Sequence, residues 1–123
     1  MRDGFGPIPL FSGVLYCLVQ SAAAEELLFR GLIGRRLIRW LGFARGNLLQ
    51  ALVFWSMHLL IFRWVFGTWI SWIQLYAFVA SFGLGWLGGY LNERGDGRSI
   101  APSWMLHGLS NLATFLALAA LRG

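Results

Sequence analysis

Six polar side chains in this chain of 123 residues lie where a catalytic site could form, because each interrupts a long stretch of apolar residues. They are Glu25, Glu26, Arg30, His58, His107 and Asn111. A carboxylate beside a neutral imidazole can bind a water molecule and remove its proton. Imidazole and amide N–H groups can donate hydrogen bonds to an oxygen that develops negative charge. Acyl transfer to water requires these groups.

The three charged residues of this set are adjacent in the sequence and differ in how they can be paired. Glu26 and Arg30 are four residues apart, so on a helix they share a face and can form an ion pair. Glu25 is rotated by about 100° from Glu26 and must face a different neighbour. The pattern therefore predicts one neutralised carboxylate and one carboxylate left for chemistry.

The remaining polar residues also have helical spacing. His107 and Asn111 are four residues apart, as are Phe54 and His58, so each pair lies on one face of its helix. At 1.5 Å per residue from the expected membrane boundary, both histidines and Glu25 reach similar depths of about 10 to 16 Å. We expect one buried polar layer containing Glu25, His58, His107 and Asn111.

The elements that must position this layer are predicted from composition. Hydrophobic residues make up 58% of the chain and charged residues 12%, about half the share in soluble domains, and the mean hydropathy is +0.64. The charges leave four apolar stretches, and about 20 apolar residues suffice for a helix to cross a membrane. This composition argues against a disordered chain, a coiled coil and a nucleic-acid-binding module. We predict an all-α polytopic membrane protein, one domain over residues 1–123, with about four transmembrane helices at about 10–40, 47–63, 68–91 and 101–121.

The distribution of the ten basic residues, all arginines, predicts the topology. Six lie in the first and third connections between the apolar stretches: Arg35, Arg36, Arg39, Arg45, Arg94 and Arg98. Cytoplasmic loops carry the excess of positive charge, so both termini are expected outside the cytoplasm. The use of arginine alone, with much Gly, Ala and Leu, indicates a GC-rich bacterial genome. We expect an integral protein of the bacterial cytoplasmic membrane, in contact with lipids and not with nucleic acid.

Three short motifs contain the polar residues in order along the chain. Glu25-Glu26-Leu27-Leu28-Phe29-Arg30 matches the pattern EExxxR, Phe54-Trp55-Ser56-Met57-His58 matches FxxxH, and His107-Gly108-Leu109-Ser110-Asn111 matches HxxxN. In this order and spacing the chain resembles the CPBP intramembrane proteases. This family is also called the Abi or CAAX-protease family and includes the type II CAAX prenyl endopeptidases. The resemblance extends from about residue 15 to residue 118.

The resemblance implies a glutamic-type intramembrane endopeptidase, without a cofactor, that hydrolyses a peptide bond of a membrane-associated protein or peptide. By this resemblance, Glu25 would act as general base on the attacking water and His58 would help to orient that water. His107 and Asn111 would form the oxyanion hole. Supporting residues would be Glu26, Arg30 and Phe54. The substrate remains open among a prenylated protein, a leader peptide and a C-terminal sorting tail.

Other functions remain as alternatives. A carboxylate and two histidines could hold zinc, which would give a zinc-dependent form of the same protease. A rhomboid-like serine protease would use Ser110, which lacks the Gly-x-Ser-Gly setting. A non-catalytic scaffold or immunity protein would retain the polar layer for helix packing. A small transporter or channel subunit would have little room for a pathway among four helices.

The chain departs from the resembled family in one respect. Family members usually carry further membrane helices before the first motif, whereas about 24 residues precede it here. A trimmed core, a small member and a chain that completes its cavity as a homo-oligomer are therefore open alternatives.

Overall fold

A computed structural model describes residues 7–67, 72–95 and 99–122, and in these ranges the chain forms four helices and no strand. We number them α1 (residues 7–41), α2 (Phe43–Phe66), α3 (Trp72–Arg94) and α4 (Ala101–Arg122). The predicted all-α bundle is confirmed. The helices run alternately up and down, so the turn from α1 to α2 and the connection from α3 to α4 lie at the same end.

Helix α1 changes its winding four times, because two π-helical segments interrupt it. It is α-helical at Pro7–Leu15, Ala24–Glu26 and Arg35–Leu41, and π-helical at Tyr16–Ala23 and Leu27–Gly34. A π turn closes i→i+5 hydrogen bonds, is rare, and occurs frequently at functional sites. The short α-helical segment between the two π segments carries both glutamates of the first motif.

A tight turn at Gly42 joins α1 to α2. Gly42 has φ +79°, a left-handed conformation that disfavours other residues. Gly46 then packs against α1, since a Cβ on it would lie 2.5 Å from the Ile38 Cα. Helix α2 consequently begins at Phe43, four residues before the predicted start. The predicted start of the third helix, near residue 68, lies outside the described residues.

Small residues let α2 and α3 approach closely. A Cβ on Gly85 would lie 3.2 Å from the Ala51 Cα, and one on Gly89 would overlap Asn47 Oδ1. Membrane helices associate through such close packing, because lipid gives no hydrophobic force between them.

The end of the bundle near Gly42 is held together by buried amides and a serine. The Asn47 amide donates to the Trp86 carbonyl at 3.0 Å, and the Gln50 amide donates to the Gly85 carbonyl at 2.7 Å. Between α3 and α4, the Asn92 amide donates to Ser103 Oγ at 2.7 Å. Because such groups are costly in lipid unless paired, these bonds hold three helices in register.

Two helices fit a membrane by length and composition, and the other two fit it by length. Residues Ile8–Leu41 and Phe43–Val65 are long and apolar enough to cross one. Helices α3 and α4 have 23 and 22 residues, which also exceeds the roughly 20 that a ~30 Å hydrocarbon core requires. The protein is an integral membrane protein.

Candidate active site

Glu25 of α1 meets one histidine from each of two other helices. The Glu25 Oε2 atom lies 3.6 Å from His58 Nε2 on α2 and 3.8 Å from His107 Nε2 on α4. One atom from each side chain falls within 4.8 Å of the others. The Glu25 side chain is 33% exposed and that of His107 only 6%. The three residues that the sequence predicts in one layer are therefore in contact range.

Glu26 faces the protein interior and has different partners. Its fully buried carboxylate oxygen Oε1 lies 2.8 Å from Arg30 Nη1, which confirms the predicted ion pair. The same oxygen, Oε1, lies 2.9 Å from His107 Nδ1. The Arg30 guanidinium also stacks 4.0 Å above the centre of the Phe54 ring. Glu26 thus neutralises Arg30 and orients His107, a contact between helices that the sequence did not predict.

The partners of the two imidazoles fix which nitrogen carries a proton. A carboxylate or a carbonyl oxygen only accepts, so His107 Nδ1 donates to Glu26. For the same reason His58 Nδ1 donates to the Phe54 carbonyl, at 2.8 Å. In the neutral rings both Nε2 atoms then present lone pairs towards Glu25 Oε2. Three acceptors face one another, an arrangement that suits a water, an added proton or a cation between them.

Asn111 reaches Glu25 through Ser21, a residue outside the three motifs. The Asn111 amide donates to Ser21 Oγ at 3.2 Å, and Ser21 Oγ donates to Glu25 Oε1 at 3.1 Å. Asn111 and His107 therefore lie next to each other on the cavity wall, as their spacing predicts. Asn111 is also hydrogen-bonded to α1. Ser21 precedes Glu25 by four residues, the same helical spacing that predicts the pair of Glu26 with Arg30. This spacing is the signal by which the sequence could have indicated Ser21.

A cavity of about 360 Å³ lies beside these groups. His58, His107, Asn111 and Ser21 belong to its wall. The other lining residues are Tyr16, Cys17, Phe54, Phe62, Tyr76, Ala80, Ser81, Leu84, Ser110 and Thr114. Ser110 is included, but within the described residues no hydrogen bond joins its hydroxyl to a histidine ring. The wall is mostly apolar with a few polar groups on one side, as is typical of small-ligand and peptide sites.

A family model for the type II CAAX prenyl endopeptidase Rce1-like proteins matches residues 7–113 of the chain. The chain belongs to this family. The match covers α1, α2, α3 and the part of α4 that carries both motif residues. No curated protein and no solved structure matches the chain at a significant level. Membership in this family makes the protein a protease-type hydrolase of the membrane.

Proposed function

We propose that the protein is an intramembrane endopeptidase that hydrolyses a peptide bond of a membrane-associated protein or peptide with a water activated by Glu25. The observation that carries the proposal is the convergence of Glu25, His58 and His107 beside the cavity. A purely structural polar layer needs paired charges, as Glu26 and Arg30 provide. It does not need a further carboxylate facing two imidazoles.

The geometry supports the following first step. A water molecule at Glu25 can donate one hydrogen to the Glu25 carboxylate and the other to His58 Nε2. Glu25 then takes a proton, and the water oxygen forms a bond to the carbonyl carbon of the scissile peptide. The π electrons of that carbonyl move to its oxygen, which becomes an oxyanion. The Ser21 hydroxyl, bonded to the other Glu25 oxygen, holds the carboxylate in place.

Collapse of the intermediate completes the reaction. The C–N bond breaks, the proton held by Glu25 passes to the leaving nitrogen, and a carboxylic acid and an amine result. During this step the oxyanion needs donors. Asn111 uses one of its two amide hydrogens for Ser21, so the second can serve the oxyanion. His107 can donate from Nε2 only as an imidazolium, since its Nδ1 atom is directed at Glu26 Oε1.

A zinc-dependent form of the same protease is the second candidate, and one observation favours it. Histidines that ligate metals donate their other N–H to a carboxylate or a backbone carbonyl. His107 does so to Glu26 and His58 to the Phe54 carbonyl. Glu25, His58 and His107 would hold the ion, which when bound supplies Lewis-acid activation of water. The donor set fits zinc, so metal analysis belongs in any test.

The test compares the variant Glu25→Gln with wild type in the native host. N- and C-terminal peptides of membrane proteins are quantified by mass spectrometry in cells that make either form. We expect termini that depend on wild type and vanish with Glu25→Gln, while the variant accumulates normally. Glu93→Gln, which changes a glutamate at the end of α3, is the matched control. Unchanged termini with normal accumulation would reject the peptidase, and reduced accumulation alone would indicate a packing role.

The remaining parts of the proposal concern location and partners. We place the protein in the bacterial cytoplasmic membrane, with both termini outside the cytoplasm, because of the arginine distribution. Its partners are membrane lipids and a membrane-anchored substrate. A homo-oligomer, in which a second copy completes the cavity, stays a prediction.

A further inference from the structure

We infer that substrate reaches Glu25 from the membrane face opposite to the Arg-rich turn, so that this enzyme cleaves a peptide segment presented outside the cytoplasm. The inference rests on the proposed function for its chemistry. Three observations indicate the side from which substrate reaches the cavity. They are the position of the cavity, the tight packing of the other half of the bundle and the charge at the two ends.

The cavity lies mainly on one side of the catalytic layer, although Phe54, one turn before His58 on α2, also lines it. Along α1 its lining residues Tyr16, Cys17 and Ser21 all precede Glu25. On α2 the wall continues past His58 to Phe62, towards the Gly67 end. Helices α3 and α4 line the cavity at the same end. The lining residues of α3 lie between Tyr76 and Leu84, and those of α4 continue past His107 to Thr114. We call this part, from Glu25 to the Gly67 end, the cavity half.

The other half of the bundle is too tightly packed for a peptide, because the pocket there, which Arg30, Gln50 and Asn92 help to line, has a volume of only about 10 Å³. This half extends from Glu26 to the turn at Gly42, and we call it the Arg-rich half. Seven residues that span this half have exposures between 0% and 6%. They are Glu26, Arg30, Asn47, Gln50, Ala51, Asn92 and Ser103. These side chains bond to one another and to the neighbouring backbone, and the space that they leave is far smaller than the cavity of about 360 Å³.

Charge identifies which end faces the cytoplasm. The α1–α2 turn carries Arg36, Arg39 and Arg45, all exposed, and Arg94 ends α3 at the same end. No acidic residue occurs between Glu26 and Glu93. The end with the excess of arginines remains on the cytoplasmic side, and the opposite end of α2 carries only Arg63. The tightly packed, Arg-rich half is therefore cytoplasmic, and the cavity half opens towards the opposite face.

The substrate class follows from this placement. A peptide tail displayed in the cytoplasm would face the tightly packed half, whereas the extracytoplasmic part of a membrane-tethered protein would face the cavity. The wall contains Phe62, Tyr76 and Leu84 opposite the polar groups of α1 and α4. An apolar side chain next to the scissile bond would bury its surface there. The substrate is thus an extracytoplasmic segment with an apolar residue at the cleavage point.

Thiol labelling tests the side of access without requiring activity. The chain has one cysteine, so Cys17→Ala gives a cysteine-free background. Thr114→Cys places a probe on the cavity wall, and Ala44→Cys places a matched probe at the exposed start of α2 beside the Arg-rich turn. A membrane-impermeant maleimide is applied to right-side-out and inverted membrane vesicles.

We expect Thr114→Cys to react in right-side-out vesicles and to lose labelling in inverted ones, and Ala44→Cys to show the reverse. Labelling of both from the same side, or no labelling of Thr114→Cys from either, would overturn the cavity placement. The reverse pattern for both would overturn the orientation. Circular dichroism of the purified variants checks that each is folded.

A cleavage assay then separates this inference from the proposed function. Two tethered reporters carry the same apolar test segment, one displayed outside and one inside the cytoplasm. Cleavage of the outside reporter alone supports the inference. Cleavage of the inside reporter alone overturns the inference and leaves the peptidase standing. Cleavage of neither, with the expected labelling, counts against the peptidase but not against the side of access.

Discussion

The two halves of the bundle differ in how their polar groups are used, and Glu25 and Glu26 lie on either side of the boundary. In the Arg-rich half the polar side chains join neighbouring helices, and Glu26 is fully buried against Arg30. In the cavity half the Glu25 side chain is 33% exposed and faces two imidazoles. Adjacent residues of one type therefore have opposite roles, one stabilising the bundle and one available for reaction.

The largest expected effect distinguishes these two glutamates. Glu26→Gln removes the charge that compensates buried Arg30, and breaking a buried ion pair costs about 3–5 kcal/mol. We expect Glu26→Gln to lower the thermal midpoint strongly and to abolish activity as a consequence. Glu25→Gln should leave the midpoint nearly unchanged and reduce kcat by about 10²–10⁴-fold, the contribution of a general base.

Thermal unfolding in detergent, with activity measured on reconstituted protein, checks both. Equal midpoints for the two variants would remove the distinction between a structural and a reactive carboxylate. Restored folding in the double variant Glu26→Gln with Arg30→Met would show that the uncompensated charge, and not the loss of a contact, causes the instability.

A second, smaller effect tests the tight packing of the Arg-rich half. An added methyl group on Gly89 would overlap Asn47 Oδ1, whereas one on Gly83 of the same helix would meet nothing within 4 Å. We expect Gly89→Ala to destabilise by about 1–3 kcal/mol, a typical cost of overpacking. Gly83→Ala should not destabilise, and the difference in thermal midpoints measures the effect. Similar midpoints would mean that the helices can separate without cost.

A third effect concerns the Ser21 hydroxyl in the cavity half. Hydrogen bonds to charged groups contribute about 1.5–3 kcal/mol, so Ser21→Ala should lower kcat by roughly tenfold or more while KM changes little. Ser21→Thr keeps the hydroxyl and should restore most of the rate. Ser56→Ala is the matched control, because the Ser56 hydroxyl bonds only to the Val53 carbonyl among the described contacts.

The same serine links two helices, and a double-mutant cycle can measure that link. If Asn111 acts on Glu25 partly through Ser21, the losses from Asn111→Ala and Ser21→Ala should be less than additive. Additive losses would show that the two side chains act independently.

The smallest expected effect is that of metal removal. The mechanism proposed for the cavity half needs no ion, so a strong chelator should leave kcat unchanged. Elemental analysis of the active protein should find no stoichiometric zinc. Loss of activity on chelation, with recovery on adding zinc, would instead establish Glu25, His58 and His107 as a metal site.

The sequence was sufficient for features that depend on one helix at a time. Gaps between charges predicted the four helices, because crossing a membrane requires long apolar stretches. Four-residue spacing predicted the pair of Glu26 with Arg30 and the shared face of Phe54 and His58, because such residues lie on one side of a helix.

Contacts between helices were less accessible to prediction. The bond from His107 to Glu26 and the path from Asn111 through Ser21 depend on how α1 and α4 are rotated about their axes. That rotation is set by packing and by the π turns, which change the angle per residue along α1. A sequence pattern that assumes a uniform α-helix predicts neither the rotation of each helix about its axis nor the change in angle per residue.

The winding of α1 limits where insertions and deletions in the sequence can be tolerated. Ser21 and Glu25 are joined across the junction between Tyr16–Ala23 and Ala24–Glu26. Deleting Ala23 would turn Ser21 by about 100° relative to Glu25, although every chemical group would still be present. Insertions and deletions in this stretch should therefore inactivate the protein as effectively as replacing a glutamate. The spacing of α1 is itself a determinant of the site.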